Sequence, residues 1–294
     1  MNIVNLTSKS LLEIDNYFRS YINTQNSFHI QLSHIDIDRF GYGSFIDLAN
    51  SFYLKFLTPV ITNEYIILNF EKLNRSNSFH KTISSKEKYG VKSEFFRIDK
   101  LSKFSFIHYF KQSLHNAKIE KRKDILNLGV NKGDEFSFIK DILDDDIFNA
   151  QNYTGVDFSS SAIKYAKGLF KEDKNINLFC EDINNLTNLK LERFDMIISI
   201  GTLQSSTLNL KPLFMDIVQS YASGDGAIIL GFPNCRWVDE QMIYGAHVPN
   251  YNFSELGTII SDIHFCKKYL QQKKYRVTIT GKEYIFLTAT KIGV

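Results

Sequence analysis

The chain has 294 residues, of which 44% are hydrophobic and 14% aromatic, enough to bury one large core or two modest ones. Thirty-five Lys and Arg against 32 Asp and Glu leave a formal net charge of +3, so no global electrostatic attraction to nucleic acid is implied. Cys180, Cys235 and Cys266 are too widely spaced for a zinc pattern or a disulfide framework, and no apolar run approaches the ~20 residues of a membrane span.

The amino terminus, MNIVNLTSKSLLEIDNY, lacks a basic segment before an apolar core, so no signal peptide is expected and a cytoplasmic protein is. Residues 11–21 carry Leu12, Ile14, Phe18 and then Ile22 at helical spacing. Residues 28–37 alternate in part, as an exposed strand does. Residues 45–57 are apolar, with a helix stop expected at Pro59, and residues 65–70 (YIILNF) read as a strand. Residues 76–90 are polar without a period and read as a surface loop. Residues 98–117 read as a helix that packs on a sheet, leading through the charged linker 118–123 into the first strand of that sheet. This first region is too apolar to be a disordered tail. It is expected to be an α+β accessory domain over residues 1–118, capping the open edge of a sheet domain over residues 119–294.

Residues 123–200 carry the chemistry. Ile125, Leu126 and Leu128 suit a buried parallel strand, and Gly129, Asn131 and Gly133 come next in a G-x-x-x-G turn. Glycine reaches positive φ freely and lets backbone approach a ligand, and Asn tolerates that region better than most residues. Asp134 and Glu135 then suit the positive end of a helix. The turn is not the G-x-G-x-x-G of a pyrophosphate site. It suits a ligand whose amino-acid part lies across it. The second strand, 153–156, ends in Asp157, an acceptor for both ribose hydroxyls. The third leads through Ile176, Leu178, Phe179 and Cys180 to Glu181 and Asp182. Asp182 can take the exocyclic amine of adenine while Ile183 covers the ring; alternatively it caps the helical stretch 184–191. A further strand, FDMIISIG, spans 194–201.

Taken in series, these segments resemble the class I S-adenosylmethionine-dependent methyltransferases, over residues 120–294. Asn127 stands where that family places an acid, Gly129 and Gly133 match its glycines, and Asn131 replaces the middle one. Asp157 matches the ribose-binding acid, Asp182 the adenine-binding acid, and 194–201 the strand bordering the methyl group. The resemblance implies a seven-stranded, mostly parallel, Rossmann-like α/β sheet with its last strand antiparallel, and S-adenosyl-L-methionine as cofactor. Its contacts would be Asn127, Gly129, Asn131, Gly133, Asp157, Phe158, Asp182, Ile183, Ile200 and Gly201, with no metal.

The carboxyl-terminal segment bears on this separately. Residues 226–231 (GAIILG) read as a fifth strand and 253–272 as a helix. Residues 275–280 and 284–290 are β-rich, and a turn as short as Gly281-Lys282 forces them antiparallel. A dinucleotide-binding parallel sheet would not end so; the methyltransferase sheet does.

The acceptor is sought in the long segment 231–253, which holds Arg236, Trp237, Asp239, Glu240, Tyr244, His247 and Tyr251. A small-molecule acceptor held between the cap and the 232–253 loop is expected, with His247 as a general base and Tyr244 beside it. The alternatives are a loop that packs its aromatics on the cap and a structural histidine. His80 and His264 read as structural, and Cys235 as a small buried residue. Gly201-Thr202-Leu203-Gln204 stands where amino-group methyltransferases of nucleic acids carry N-P-P-Y. The run Lys86, Lys88, Lys92, Lys100 and Lys103, interleaved with aromatics, could grip RNA, but Glu87, Glu94 and Asp99 dilute its charge. An RNA methyltransferase and a non-catalytic nucleoside-binding scaffold are therefore the competing readings.

Overall fold

The structure is a computed structural model that describes residues 2–76, 88–205, 207–244 and 255–293. Its chain divides into two units. One is Met1–Ser78 with Trp237–Tyr244; the other is Phe79–Arg236 with Gly245–Val294.

The first unit runs β1 (Ile3–Asn5), α1 (Leu11–Tyr21), β2 (Ser27–Leu32), α2 (His34–Phe52), β3 (Leu54–Ile61) and β4 (Ile66–Lys72), with sheet order β1-β2-β4-β3. Both helices start at a serine that closes a capping box, Ser10 with Glu13 and Ser33 with Asp36, satisfying backbone donors that a helix start leaves open. The alternation of β2 buries Phe28, Ile30 and Leu32 against Ile14, Phe18 and Phe45 of the helices. The Phe18 and Phe28 rings stack at 4.8 Å. Two expectations change here. Helix α2 already starts at His34, so the strand read over 28–37 stops at Leu32. The apolar run 45–57 is helix only to Phe52. It turns at Tyr53, in the left-handed region, and continues as β3, with Pro59 inside the strand. Proline is tolerated there because β3 is an edge strand and its register slips between Leu57 and Val60.

The second unit runs in chain order as α3 (Phe104–Asn116), β5 (Asp124–Leu128), α4 (Asp134–Ile142), α5 (Asp145–Asn149), β6 (Asn152–Asp157), α6 (Ser160–Leu169) and β7 (Ile176–Cys180). A 3-10 turn, Ile183–Leu189, leads to β8 (Phe194–Ile200), α7 (Leu210–Ser220) and β9 (Ala222–Pro233). The chain then forms a hairpin, β10 (Cys235–Val238) and β11 (Gln241–Tyr244), before α8 (Glu255–Gln272), β12 (Tyr275–Gly281) and β13 (Tyr284–Lys291). The seven strands of the second unit lie in the order β12-β13-β9-β8-β5-β6-β7. Strands β9, β8, β5, β6 and β7 pair parallel, whereas β13 is antiparallel to both β9 and β12. This is the seven-stranded α/β sheet with an inserted antiparallel strand that the resemblance implies.

The strand residues Leu126, Leu128, Ile197, Ile228 and Leu230 are buried with Phe214 and Ile217 of α7 and Cys266 and Leu270 of α8. Helix α3 packs on the sheet through Phe106 and Phe110, both within 6 Å of the Phe286 ring of β13. It is shorter than its sequence suggests, because Lys100–Ser102 form a separate 3-10 turn before it. Among the described residues no helix is long and apolar enough to cross a membrane.

Candidate functional site

Strand β5 ends at Leu128, paired with Val156 of β6. The next two amides, Gly129 and Val130, both donate to the Val156 carbonyl, at 2.8 and 3.1 Å. The chain then folds back with Gly129, Asn131 and Gly133 at φ of 83°, 44° and 93°, all in the left-handed region. Gly129 is required for a second reason. A Cβ there would lie 1.9 Å from Thr202 Oγ1, in the loop leaving β8. The end of β5 and the end of β8 thus touch at a position where no side chain fits.

Asp157 closes β6 beside this turn. One carboxylate oxygen accepts the Asn131 amide and the other the Ser159 amide, each at 2.9 Å. Burial pushes its carboxyl above the usual carboxylate range, against the pull of those two amides. Each oxygen keeps acceptor capacity beyond its single backbone bond, as an ionised carboxylate offers about four lone-pair sites.

Asn127, 1% exposed, lies one residue before the end of β5. Its Nδ2 donates to Glu135 Oε2 at 3.2 Å, while its Oδ1 is buried with no protein partner among the described residues. Glu135, on the first turn of α4 and 2% exposed, is bonded through its other oxygen to Lys100 Nζ at 2.5 Å. Burial opposes the charge on Lys100, but Glu135, Asp134 and Asp157 outweigh it and raise its pKa. Sequence reasoning missed this arrangement. It read Glu135 only as an acid at a helix start and Lys100 only as one of a basic run.

Residues 88–103 run across the turn as a strap. Asn131 Nδ2 donates to the Tyr89 carbonyl at 2.8 Å, and the Val91 amide donates to Ser161 Oγ at 3.0 Å. Lys132 Nζ donates to the carbonyls of Phe96 and Ile98, and the Phe96 ring meets Tyr165 edge-on at 5.1 Å. The basic run is therefore split. Lys100 is committed to a carboxylate inside the unit, and Lys86 lies outside the described residues.

The other residues singled out by the sequence are spread over several elements. Ile200 is buried at the end of β8, and Gly201 comes next at φ of 71°, its amide bonded to Gly231 of β9. Phe158 is half exposed beyond Asp157. Asp182 starts the 3-10 turn and accepts the Asn184 amide at 2.9 Å, so the capping role is real. That bond occupies one oxygen, and Ile183 beside it is buried. Tyr244 ends β11 in the first unit and is partly exposed. His247, Tyr251 and His80 lie outside the described residues. The hairpin β10–β11 was not foreseen in the segment 231–253. Its turn is built by Asp239 and Glu240, both at positive φ, rather than by the Asn-Gly or Asp-Gly that signals such turns. Among the described residues no cluster of His, Cys, Asp and Glu is placed to hold a metal ion.

Burial pushes the Cys235 and Cys266 thiols up to about 12, whereas Cys180 is exposed at the end of β7. Because the thiolate is the reactive form, native protein treated with a maleimide near neutral pH is expected to label Cys180 well ahead of the other two. Peptide mapping that finds Cys235 labelled at a comparable rate contradicts this burial.

The glycine turn, the strand-end acid and the strap are thus joined at the ends of β5 and β6. The chain belongs to the methyltransferase domain family, whose profile it matches over residues 111–278, more than half of its length. Among solved structures it is similar to precorrin-6y C5,15-methyltransferase from Geobacter metallireducens GS-15. That match has 11% identity, covers 66% of this chain and 94% of the other, and has a TM-score of 0.45. It is similar also to an O-methyltransferase from Bacillus cereus solved in complex with SAH (12% identity, 63% and 81% covered, TM-score 0.43). A third is the methyltransferase domain of bacterial CtHen1-CN (17% identity, 62% and 97% covered, TM-score 0.44). Comparison with curated proteins gives no match.

Proposed function

We propose that the chain is an S-adenosyl-L-methionine-dependent methyltransferase acting on a small-molecule acceptor. The observation that carries this reading is the convergence of three features at the ends of β5, β6 and β8. These are a glycine whose missing Cβ lets the Thr202 side chain pack against its backbone, a buried strand-end carboxylate at Asp157, and the unpartnered Oδ1 of Asn127. They fit the cofactor piece by piece. Asp157 accepts the ribose hydroxyls with its remaining lone pairs. Gly129, Asn131 and Gly133 shape the turn under the amino-acid end, and Asn127 Oδ1 accepts a donor from that end. Asp182 takes the adenine amine on its second oxygen, and Ile183 and Phe158 flank the base and ribose. Ile200 and Gly201 border the methyl group.

The bound cofactor supplies an electrophilic methyl on a sulfonium, so the chain's task is positioning and exclusion of water. Tyr244 and His247 are assigned to the acceptor, with His247 removing a proton from an oxygen nucleophile where one is used. Residues 1–118 are assigned to an accessory region, of which the strap 88–103 and α3 pack within the sheet unit. Two features support a small molecule over RNA. Lys100, one member of the basic run, is held by Glu135, and Lys132 is held by strap carbonyls, so neither ammonium is presented to a phosphate backbone.

S-adenosylmethionine or S-adenosylhomocysteine at millimolar concentration is expected to raise the melting temperature, since a ligand selective for the native state stabilises it by mass action. Calorimetric titration in which neither binds refutes the cofactor assignment. Retention on structured RNA that weakens steeply with salt would move the acceptor to the nucleic-acid class.

A further inference from the structure

Among the described residues four buried side-chain atoms have no hydrogen-bond partner: Asn127 Oδ1, Gln204 Oε1, Asn234 Oδ1 and Glu283 Oε2. All four are acceptors. Asn127 belongs to the cofactor turn. The other three stand at neighbouring strand ends of the second unit, on the opposite side of the sheet order from Asp157. Gln204 follows β8 by four residues, Asn234 follows β9 by one, and Glu283 comes one residue before β13. The register puts these ends level, since Ile200 pairs with Gly231 and Pro233 with Tyr284. Folded proteins leave few buried polar atoms unserved. A set made only of acceptors calls for a group rich in donors.

Asn234 and Glu283 stand opposite each other. The Asn234 amide donates to the Glu283 carbonyl at 2.8 Å, which carries the Pro233–Tyr284 pairing one residue further. Side chains directly opposite in an antiparallel pair leave the same face, with Cβ atoms about 5 Å apart. Asn234 cannot turn its amide over to supply a donor, because Nδ2 is already given to the Lys282 carbonyl at 3.3 Å. Glu283 is 7% exposed. Burial works against its charge, but the Ser105 hydroxyl, the Lys282 ammonium and a backbone amide outweigh burial and hold its carboxyl below the usual carboxylate range. Lys282 reaches Oε1, at 3.0 Å, from a side chain that is itself 56% exposed. An ionised carboxylate is thus left with one unfilled oxygen, and an amide oxygen in the same condition faces it across the ladder.

Resting on the methyltransferase reading, we propose that Asn234 and Glu283 form a subsite for an amino group of the methyl acceptor, so that the substrate is a small molecule bearing a protonated primary amine. An ammonium has three N–H donors and gives one to each oxygen, whereas a hydroxyl has a single O–H and serves only one of the two. The charge on Glu283 strengthens the bond to a cation. Position adds to this. Gly201, proposed to border the methyl group, lies against Pro233, where an added Cβ would come within 3.3 Å of Pro233 Cγ. Strands lie about 5 Å apart, so the one or two strand steps from β8 put the amino group about 5–10 Å from the methylated atom. Gln204, nearer that atom, offers its oxygen to a second donor of the same substrate. Asn234 and Gln204 are part exposed as residues although their oxygens are covered, so a side-chain rotation opens them to an incoming group. The pair recognises the acceptor and does not react with it.

An ordered water in the gap would serve the same oxygens and would give no preference among ligands. The full chain, with and without saturating S-adenosylhomocysteine, is titrated at millimolar concentration by ligand-observed NMR with matched probes. Benzylamine carries the ammonium, N,N-dimethylbenzylamine the same charge with one N–H, and benzyl alcohol no charge. Wild type is expected to bind benzylamine roughly tenfold or more tightly than benzyl alcohol, with the dimethyl compound between them. Glu283→Gln should reduce the preference over the alcohol to about twofold or less. Asn234→Ala should remove the difference between the two amines while keeping part of the preference for charge. Lys282→Met should tighten benzylamine, because it removes a competing cation. Wild type that binds benzylamine no better than benzyl alcohol, or binds neither, overturns the proposal, and this comparison needs no variant. Equal binding of the two amines overturns it in favour of diffuse charge attraction. A folded Glu283→Gln protein that keeps the full preference places the amine elsewhere and overturns it too. S-adenosylhomocysteine that binds while no amine is preferred sinks this inference alone. An amine preference without any S-adenosylhomocysteine binding sinks the methyltransferase reading, and the acceptor assignment falls with it.

Discussion

Gly129→Ala is expected to lower the melting temperature by several degrees and to abolish measurable cofactor binding. Two independent costs add at this position. The backbone is at φ of 83°, where an L-residue is strained by roughly 1–2 kcal/mol. The new methyl group would also sit 1.9 Å from Thr202 Oγ1 and 2.7 Å from Thr202 Cβ. A rotamer change could move the hydroxyl but not the Cβ, so the loop after β8 must shift. Overpacking of that kind costs about 1–3 kcal/mol. The same shift displaces Ile200 and Gly201, which flank the proposed methyl position, so binding falls more than stability does. Differential scanning fluorimetry and calorimetric titration with S-adenosylhomocysteine measure the two effects. The double variant Gly129→Ala with Thr202→Gly separates them: it relieves the overlap and leaves the φ strain. Recovery of part of the stability is expected in the double variant, and full recovery would mean that the backbone is not strained. A Gly129→Ala protein that melts with the wild type and binds like it would remove the turn from the site.

The parts of this architecture that could be read from sequence are those fixed by local chemistry. The apolar runs at 125–128 and 194–200 are largely buried, and the glycine turn and Asp157 lie within one strand–helix–strand stretch. The short Gly281-Lys282 turn forces antiparallel strands whatever surrounds it. What escaped the sequence depended on contacts distant in the chain. Pro59 stops a helix in isolation, but here it occupies an irregular edge strand whose tolerance is set by its place in the sheet. Lys100 and Glu135 are 35 residues apart, and nothing local marks either as half of a buried pair. The G-x-x-x-G spacing shows that the turn needs positive φ. It does not show that Thr202, more than seventy residues on, is the reason Gly129 has no substitute. The hairpin β10–β11 escaped because its Asp-Glu turn reaches positive φ without the residues that usually announce it.

Asp157→Ala is expected to weaken binding of S-adenosylhomocysteine by at least tenfold, and Asp182→Ala to weaken it less. The difference comes from what each carboxylate holds. Asp157 is buried and accepts two amides, from Asn131 and Ser159, one on each oxygen. Its removal deletes the proposed ribose contacts and also leaves without a partner the part-buried Asn131 amide of the turn and the buried Ser159 amide after β6, the latter at a penalty of about 1–3 kcal/mol. The Asn131 end of the turn then loosens, and with it the strap carbonyl of Tyr89 that Asn131 holds. The unliganded protein should therefore melt lower as well. Asp182 accepts one amide, from Asn184, at the start of a short 3-10 turn. Its loss removes a cap worth about 1 kcal/mol and one adenine contact. Methylthioadenosine, which carries both ribose and adenine, should report the same ranking as S-adenosylhomocysteine, because neither carboxylate faces the amino-acid end. Asp157→Asn provides the control for folding. It restores the shape and one acceptor oxygen but turns an NH2 group toward a backbone amide, so it should fold better than the alanine variant and still bind poorly. A folded Asp157→Ala protein with near-normal affinity for either ligand, or a larger loss at Asp182, would place the ribose elsewhere and dismantle the proposed site.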